Sequence, residues 1–428
     1  MRETLALSPG SGPPGLDWFW GSVMPKTGLV LAGGGARGAY EVGVLYYLFV
    51  DGPAELRELA RFNVLCGTSI GALNIAATAA TIHQPAVGIR RLAEMWRGLS
   101  IDQILQIGLS DLMSLPGWLI GKNSREAVFP GEPVRAIIEE GIDWNRIHVN
   151  LQQGHLDAVS LSCTQVPTGK TVVFYETGDG RPRRFSRDPH VRPVYSRLTP
   201  EHCRASAAIP FVFPAVAIDG IPYVDGGLRQ NTPLSPALRL GSKRLLVVGL
   251  GHEKTLDDDG ILSEWRRRLA SPVFLLAKVL NALMLDHVDY DLIRMEHINQ
   301  VLRDGEAVFG PQFTDRMNTM FSNSRGAGYR VIPTIVLRPS KDLGKLAAEH
   351  VRSGALPSNR FLTSRIIRTI ARLESRDEAD LTSYVLFDGS YCGKLIDLGI
   401  HDAARRKDDL IRFFSEARPT SAPGPIAE

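Results

Sequence analysis

The sequence predicts an α/β protein: a mainly parallel sheet covered by helices on both faces, with a helical C-terminal extension. Three observations predict it. Short apolar runs of strand type recur along the chain with helical segments between them. Several of these runs are apolar throughout, as strands buried on both faces must be. The composition, 44% hydrophobic and 22% charged over 428 residues, supplies a real core and excludes disorder, collagen or coiled coil as a whole-chain description.

In chain order, 28–32 is a short apolar strand that runs into a glycine cluster, and 40–49 reads as a helix. Residues 62–66 form a second strand, followed by a small-residue helix over 70–81. Strands are expected over 155–164 and 170–175, and two short ones over 217–224 about the Asp219-Gly220 turn. Further buried strands fall at 243–249 and 331–337. From Pro272 to about Leu302 apolar residues recur at helical spacing, the pattern of a long helix. No internal repeat is visible. The chain divides into an irregular N-terminal arm (1–26), a core domain (27–250), a helical extension completing or flanking the core (251–414) and a disordered tail (415–428).

Charge and cysteine content narrow the function. With 49 basic against 46 acidic residues the net charge is +3, which lacks the concentrated footprint of a dedicated nucleic-acid binder. Cys66, Cys163, Cys203 and Cys392 are scattered, with neither a Cys-x-x-Cys pair nor a disulfide framework, as expected of reduced, buried thiols. The start has no basic segment followed by a long apolar stretch, and no run approaches 18 apolar residues. The expected location is cytoplasmic, with peripheral contact to a membrane surface left open.

Two glycine motifs carry the chemistry. Gly33-Gly34-Gly35-Ala36-Arg37-Gly38 follows a strand and opens a helix, satisfying the dinucleotide pattern Gly-x-Gly-x-x-Gly. A dinucleotide site also needs an acid ending the second strand, and here that strand ends in Gly67-Thr68. What survives is a loop whose amides converge at a helix N-terminus, suited to a phosphate or a transient oxyanion. The second motif, Gly67-Thr68-Ser69-Ile70-Gly71, is a nucleophile elbow in its proper strand–turn–helix setting. Gly67 and Gly71 permit the sharp turn, and the helix N-terminus favours an alkoxide at Ser69.

A serine nucleophile needs a base. Of the later histidines, His252, His287, His297, His350 and His401, none sits in a distinctive turn. Asp225 does: it ends a strand and precedes Gly226-Gly227, which permit close backbone approach. An aspartate at its reference pKa of about 3.9 is a poor base toward serine. Apolar surroundings, such as Ile209-Pro210-Phe211-Val212-Phe213-Pro214, would have to raise it.

These stretches, with Ala205-Ser206-Ala207-Ala208 ahead of the apolar run, resemble in kind and order the patatin-like phospholipases over about residues 27–250. The resemblance implies a three-layer hydrolase fold and a Ser-Asp dyad without histidine, Ser69 as nucleophile and Asp225 as base. It implies an oxyanion hole from the loop Gly33, Gly34, Gly35, Arg37 and Gly38, no metal or other cofactor, and a phospholipid or other acyl-lipid substrate cleaved through an acyl-enzyme. Two rivals stay open: an esterase using a late histidine, and a non-catalytic lipid-binding or scaffold protein on the same fold. Elsewhere, Asp257-Asp258-Asp259-Gly260 lacks calcium-loop spacing and reads as a solvated loop. The basic runs 181–184, 266–268 and 405–407 read as solvated faces, and the apolar stretch 109–120 as a capped core segment or a flap.

Overall fold

The computed structural model describes residues 25–104, 131–183, 185, 188–210, 212–252, 272–320, 328–353 and 380–415, and of 103, 272–290 and 380 the backbone alone. The expected arm up to residue 24, the stretch 109–120, the acidic run 257–260, the basic run 266–268 and the tail from 416 lie outside these residues.

Among the described residues nine strands form one sheet: β1 (Thr27–Leu31), β2 (Val64–Thr68), β3 (Ala158–Gln165), β4 (Thr171–Thr177), β5 (Val191–Tyr195), β6 (Val216–Ile218), β7 (Ile221–Asp225), β8 (Arg244–Val248) and β9 (Thr334–Leu337). The order is β5-β4-β3-β2-β1-β8-β9. The pairs from β3 to β9 are parallel, β4 is antiparallel to β3, and the β6–β7 hairpin joins through β7 and β3. The helices used below are α1 (Ala39–Tyr46), α2 (Ala54–Leu59), α3 (Ile70–Thr81), α4 (Pro85–Arg97), α5 (Glu132–Gly141), α6 (Trp144–Gln152), α7 (Pro200–Ser206), α8 (Leu234–Arg239), α9 (Pro272–Phe309), α10 (Phe313–Met320), α11 (Leu343–Arg352), α12 (Asp380–Val385), α13 (Gly389–Arg405) and α14 (Lys407–Ser415).

Because successive strand side chains point to opposite faces, the central strands feed two cores. Leu29, Leu31, Leu65, Leu246 and Val248 enter the larger, packed with residues of α1, α3, α4 and α13. Val30, Val64, Cys66, Leu245 and Val247 enter the smaller, under Leu234 and Ala237 of α8 and Leu292 of α9. Three layers follow directly from strands that are buried at every position. The sheet order reverses between β1 and β8, so the loop after β1 opens at the switch point, where α/β sheets place their crevice.

Most expected elements appear within a few residues. The helix over 70–81 is α3 to the residue. The Asp219-Gly220 turn has both residues at positive φ (51° and 75°), as a two-residue hairpin of this hand requires. Three differences stand out. The helix from Ala39 continues past Tyr46 in a wider turn that ends with the Gly52 N–H donating to Tyr47 O at 2.8 Å. The long helix runs to Phe309, seven residues beyond the apolar periodicity, which fades into the charged face Arg303-Asp304-Gly305-Glu306. Strand β5 carries Pro193 and no clean alternation, which hides it in the sequence; at the sheet edge its proline is tolerated. Of the basic runs, Arg183 pairs with Asp179 at 2.7 Å and Arg406 with Asp409 at 2.6 Å, both at exposed positions.

The extension is part of the same packing unit. β9 completes the sheet, and Asn299 of α9 holds its approach: its Nδ2 donates to Ile332 O at 3.0 Å and its Oδ1 accepts the Ile332 N–H at 2.8 Å. α13 crosses α1 in backbone contact. A Cβ on Gly43 would stand 2.1 Å from Ile396 O, and one on Gly399 2.3 Å from Tyr40 O. Gly43→Ala should therefore overpack the crossing, cost about 1–3 kcal/mol or more, and lower the Tm by at least several degrees in a thermal scan. An unchanged Tm would contradict so close a crossing.

Candidate functional site

One strand brings the two halves of the site together. β3 pairs with β2 up to Ser162, which faces Thr68; from Cys163, which faces Asp225, it pairs with β7. β7 thus takes over beside β3 where β2 stops. The residue after β2 is Ser69 and the last residue of β7 is Asp225, so consecutive partners on β3 set them side by side. Ser69 Oγ donates to Asp225 Oδ2 at 2.5 Å.

Ser69 sits at φ 56°, ψ −126°, between β2 and α3. A positive φ on a residue with a Cβ costs of order 1–3 kcal/mol and survives only where the surroundings hold it. Here Gly67 ends the strand side of the turn and Gly71 lies in the first turn of α3. The Ser69 N–H donates to Ser206 Oγ at 2.9 Å, and Ser206 Oγ–H donates on to Ser162 O at 2.7 Å. Ser206, at the end of α7, is fully buried. The stretch 205–214 stands out in the sequence by its composition, but nothing local marks this serine as the clamp on the elbow.

Asp225 is fully buried. Its Oδ1 accepts the Gly227 N–H at 2.7 Å, and its own N–H donates to Ala208 O at 2.8 Å. Gly226 and Gly227 turn the chain tightly beneath the carboxylate. Burial pushes the Asp225 carboxyl up to about 7, against the Ser69 and Gly227 hydrogen bonds that pull it down. The neighbouring Cys163 thiol is pushed well up by burial and by the Asp225 charge, so it stays protonated. All four cysteines are free and buried, with Cys66 and Cys203 pushed up to about 12 by burial.

The glycine loop closes the third side. Gly35–Gly38 form a tight helical turn leading into α1. Two of the five expected amides are already used: Gly33 N–H donates to Asn231 O at 3.2 Å and Arg37 N–H to Gly34 O at 3.2 Å. Gly33 and Arg37 therefore shape the loop rather than point amides into the site. The Gly34 and Gly35 amides open the turn, where a helix has no carbonyl of its own to offer. Gly38 lies deeper, its carbonyl accepting from Asn74 Nδ2 at 3.0 Å. Asn231 grips the loop twice, since its Nδ2 also donates to Gly33 O at 3.1 Å. Six residues beyond Asp225, it lay in the sequence as one polar residue among several. Behind the elbow, Asn74 links three partners: Gly38 O, Glu41 Oε2 at 2.8 Å and the Trp96 Nε1–H, which it accepts at 3.1 Å. Complete burial raises the Glu41 carboxyl well above its usual range, against the pull of its hydrogen bond from Asn74.

An apolar pocket opens from Ser69, walled by Ile70, Leu73, Trp96, Ile209, Phe213 and Phe387 among others; Ser69 is the one hydroxyl among its described lining residues. Phe387 comes from the extension. Among the described residues no histidine hydrogen-bonds Ser69. His350 pairs with Asp388 at 3.0 Å, His252 with Pro339 O at 3.0 Å, and His202 is held neutral near 4 by burial. No group of three or more potential metal ligands occurs among the described residues.

Residues 29–238 match the family model described as patatin-like phospholipase, so the chain carries a patatin-like phospholipase domain over those residues. Its mostly parallel sheet with flanking helices is the α/β fold of that family. Similar solved structures include VipD from Legionella pneumophila, at 12% identity and a TM-score of 0.29, covering 88% of this chain and 67% of that one. Human GIVD cytosolic phospholipase A2 in complex with methyl gamma-linolenyl fluorophosphonate is 12% identical, with a TM-score of 0.37, covering 92% of this chain and 59% of that one. A chain of the heterodimeric ExoU–SpcU complex from the type III secretion system of Pseudomonas aeruginosa is 14% identical, with a TM-score of 0.26, covering 90% and 76%. This chain thus spans about three fifths of the human protein's length. No curated protein matches the sequence.

Two outcomes follow from the geometry. Ser206→Ala removes the hydroxyl that accepts from the Ser69 N–H and donates to Ser162 O, and should destabilise the protein by about 1–3 kcal/mol in denaturant unfolding. For Asp225, the folded value near 7 lies above the unfolded value of about 3.9. The folded state therefore holds the proton more tightly. The stabilisation is complete below about pH 4 and is lost as pH rises through 7. Asp225→Asn, neutral at every pH, should raise the Tm at pH 8, by a margin that shrinks toward pH 4.

Proposed function

We propose that this protein is a lipid acyl hydrolase that cleaves carboxylic ester bonds of phospholipids or related acyl lipids through Ser69 and Asp225. The patatin-like phospholipase domain supports lipid hydrolysis in general. The observation that carries the finer reading is the 2.5 Å hydrogen bond from Ser69 Oγ to a fully buried carboxylate, at the mouth of an apolar pocket.

In this reading the acyl chain occupies the pocket and its ester carbonyl lies over the elbow. Asp225 Oδ2 takes the hydroxyl proton as Ser69 Oγ attacks the carbonyl carbon. Burial makes this transfer feasible, since a base near pKa 7 is far better matched to the task than one near 4. The negative charge on the carbonyl oxygen faces the Gly34 and Gly35 amides and the N-terminus of α3, donors that need no reorganisation as charge develops. Collapse expels the alcohol, which takes the proton from Asp225. Water then repeats the cycle on the acyl-enzyme, with Asp225 as base and Ser69 as leaving group.

Peripheral action at a lipid surface in the cytoplasm goes with this reading. Among the described residues no helix is long and apolar enough to cross a membrane.

Ser69→Ala should lower hydrolysis of a phospholipid panel by about 10³-fold or more while leaving circular dichroism unchanged. An undiminished rate would remove the mechanism, and a native chain inert toward both the panel and a serine-directed fluorophosphonate would favour a non-catalytic lipid binder. Because the base must be ionised, kcat/KM of the native chain should rise with pH through about 7 and level off above it. A limb that moves with substitution of a histidine would favour a histidine-dependent esterase.

A further inference from the structure

The glycine loop is held in part by residues distant in the chain. Its outer side rests on α12, and the contact joins residues 346 positions apart. Arg37 is buried, 3% exposed. A buried guanidinium keeps its charge and needs its donors satisfied. Its Nε–H donates to Ser383 Oγ at 2.7 Å, and its Cζ lies over the Tyr384 ring, 4.4 Å from the centroid. The backbone of the same turn touches the loop as well: a Cβ on Gly35 would stand 2.2 Å from Tyr384 O.

The segment is fixed again beyond these residues. Phe387 stacks on Trp96 with ring centroids 6.2 Å apart and walls the apolar pocket. Asp388 Oδ1 accepts from His350 Nε2–H at 3.0 Å and from the Tyr391 N–H at 3.0 Å, capping α13. The Gly389 N–H donates to Leu99 O at 2.8 Å. One end of this stretch therefore holds the loop beside Ser69, and the other walls the pocket and is tied to α11 and to the end of α4.

We infer that residues 383–389 are a positioning strap for the glycine loop, with Ser383 and Tyr384 acting through Arg37, so that the chain beyond the family-matched residues 29–238 sets the geometry of the Gly34 and Gly35 amides. Its effect on rate rests on the hydrolase reading above; its effect on the loop does not. Oxyanion donors work only when held within about half an ångström of their productive position. A loop tethered by one buried cation to a distant helix turn loses that precision when the tether is cut.

The test reads both levels. Hydrogen–deuterium exchange of peptides spanning 33–38 is compared in the native chain, Ser383→Ala, Ser383→Thr, Arg37→Lys and the Arg37→Lys/Ser383→Ala double variant, alongside kcat and KM on a soluble acyl ester. Ser383→Ala should raise exchange in the loop about 10-fold and lower kcat about 10-fold with KM nearly unchanged. Ser383→Thr, which keeps the hydroxyl, should restore both. The double variant should behave like Arg37→Lys alone as far as the Arg37–Ser383 contact governs the loop, because either change breaks that same contact. Unchanged loop exchange in folded Ser383→Ala, or in Arg37→Lys should the alanine protein fail to fold, would overturn the strap, as would effects that multiply in the double variant. A native chain whose Ser69 is not labelled by a fluorophosphonate would instead overturn the hydrolase reading, and the exchange result then judges the strap by itself.

Discussion

The divided pairing of β3 is the constraint on which the site depends. Its first five residues belong to β2 and its last three to β7, and the change of partner falls between Ser162 and Cys163. Strand neighbours lie about 4.8 Å apart across the hydrogen bonds. Ending one neighbour and starting the next at adjacent positions therefore brings a residue just past β2 within reach of the last residue of β7. A slip of one residue in the β3–β7 ladder would turn Asp225 to the other face of the sheet. Ser162 helps fix the register, since its carbonyl holds the Ser206 hydroxyl that clamps the Ser69 amide.

This arrangement is costly by itself. It combines a non-glycine residue at positive φ with a carboxylate removed from water. Each works against stability by a few kcal/mol, and the surrounding fold offsets both. The larger core supplies the compensation, spanning β1 to β3, the helices α1, α3 and α4, and the C-terminal α13. The site is strained and partly desolvated because a rigid, fully packed frame encloses it. That frame includes residues far outside the stretch that marks the family.

The same dependence appears at the glycine loop. Its inner side is gripped by Asn231 and its base by the network of Asn74, Glu41 and Trp96. Its outer side leans on Ser383 and Tyr384. These residues come from β7's trailing loop, from α1, α3 and α4, and from α12. A loop rich in glycine has little conformational preference of its own, so neighbours on several sides must decide which of its amides remain open.

What the sequence determined alone was local. Alternating or continuous apolar runs located the central strands, small residues and the preceding Gly-Thr-Ser located α3, and Asp219-Gly220 located the hairpin, because each pattern reports a backbone preference acting over a few residues. Ser69 and Asp225 were legible for the same reason: each sits in a glycine-flanked turn whose geometry is written in adjacent positions. β5 was not, since an edge strand carrying Pro193 owes its form to β4 beside it. Nor were Ser206, Asn231, Ser383 or Phe387, ordinary residues whose importance comes from what lies across the fold from them. Tertiary structure alone decided that the Gly33 and Arg37 amides are taken, that Asp225 is dry enough to sit near pKa 7, and that α12 rests on the loop. Desolvation and long-range hydrogen bonding depend on every neighbour in space, and a one-dimensional pattern records only neighbours in the chain.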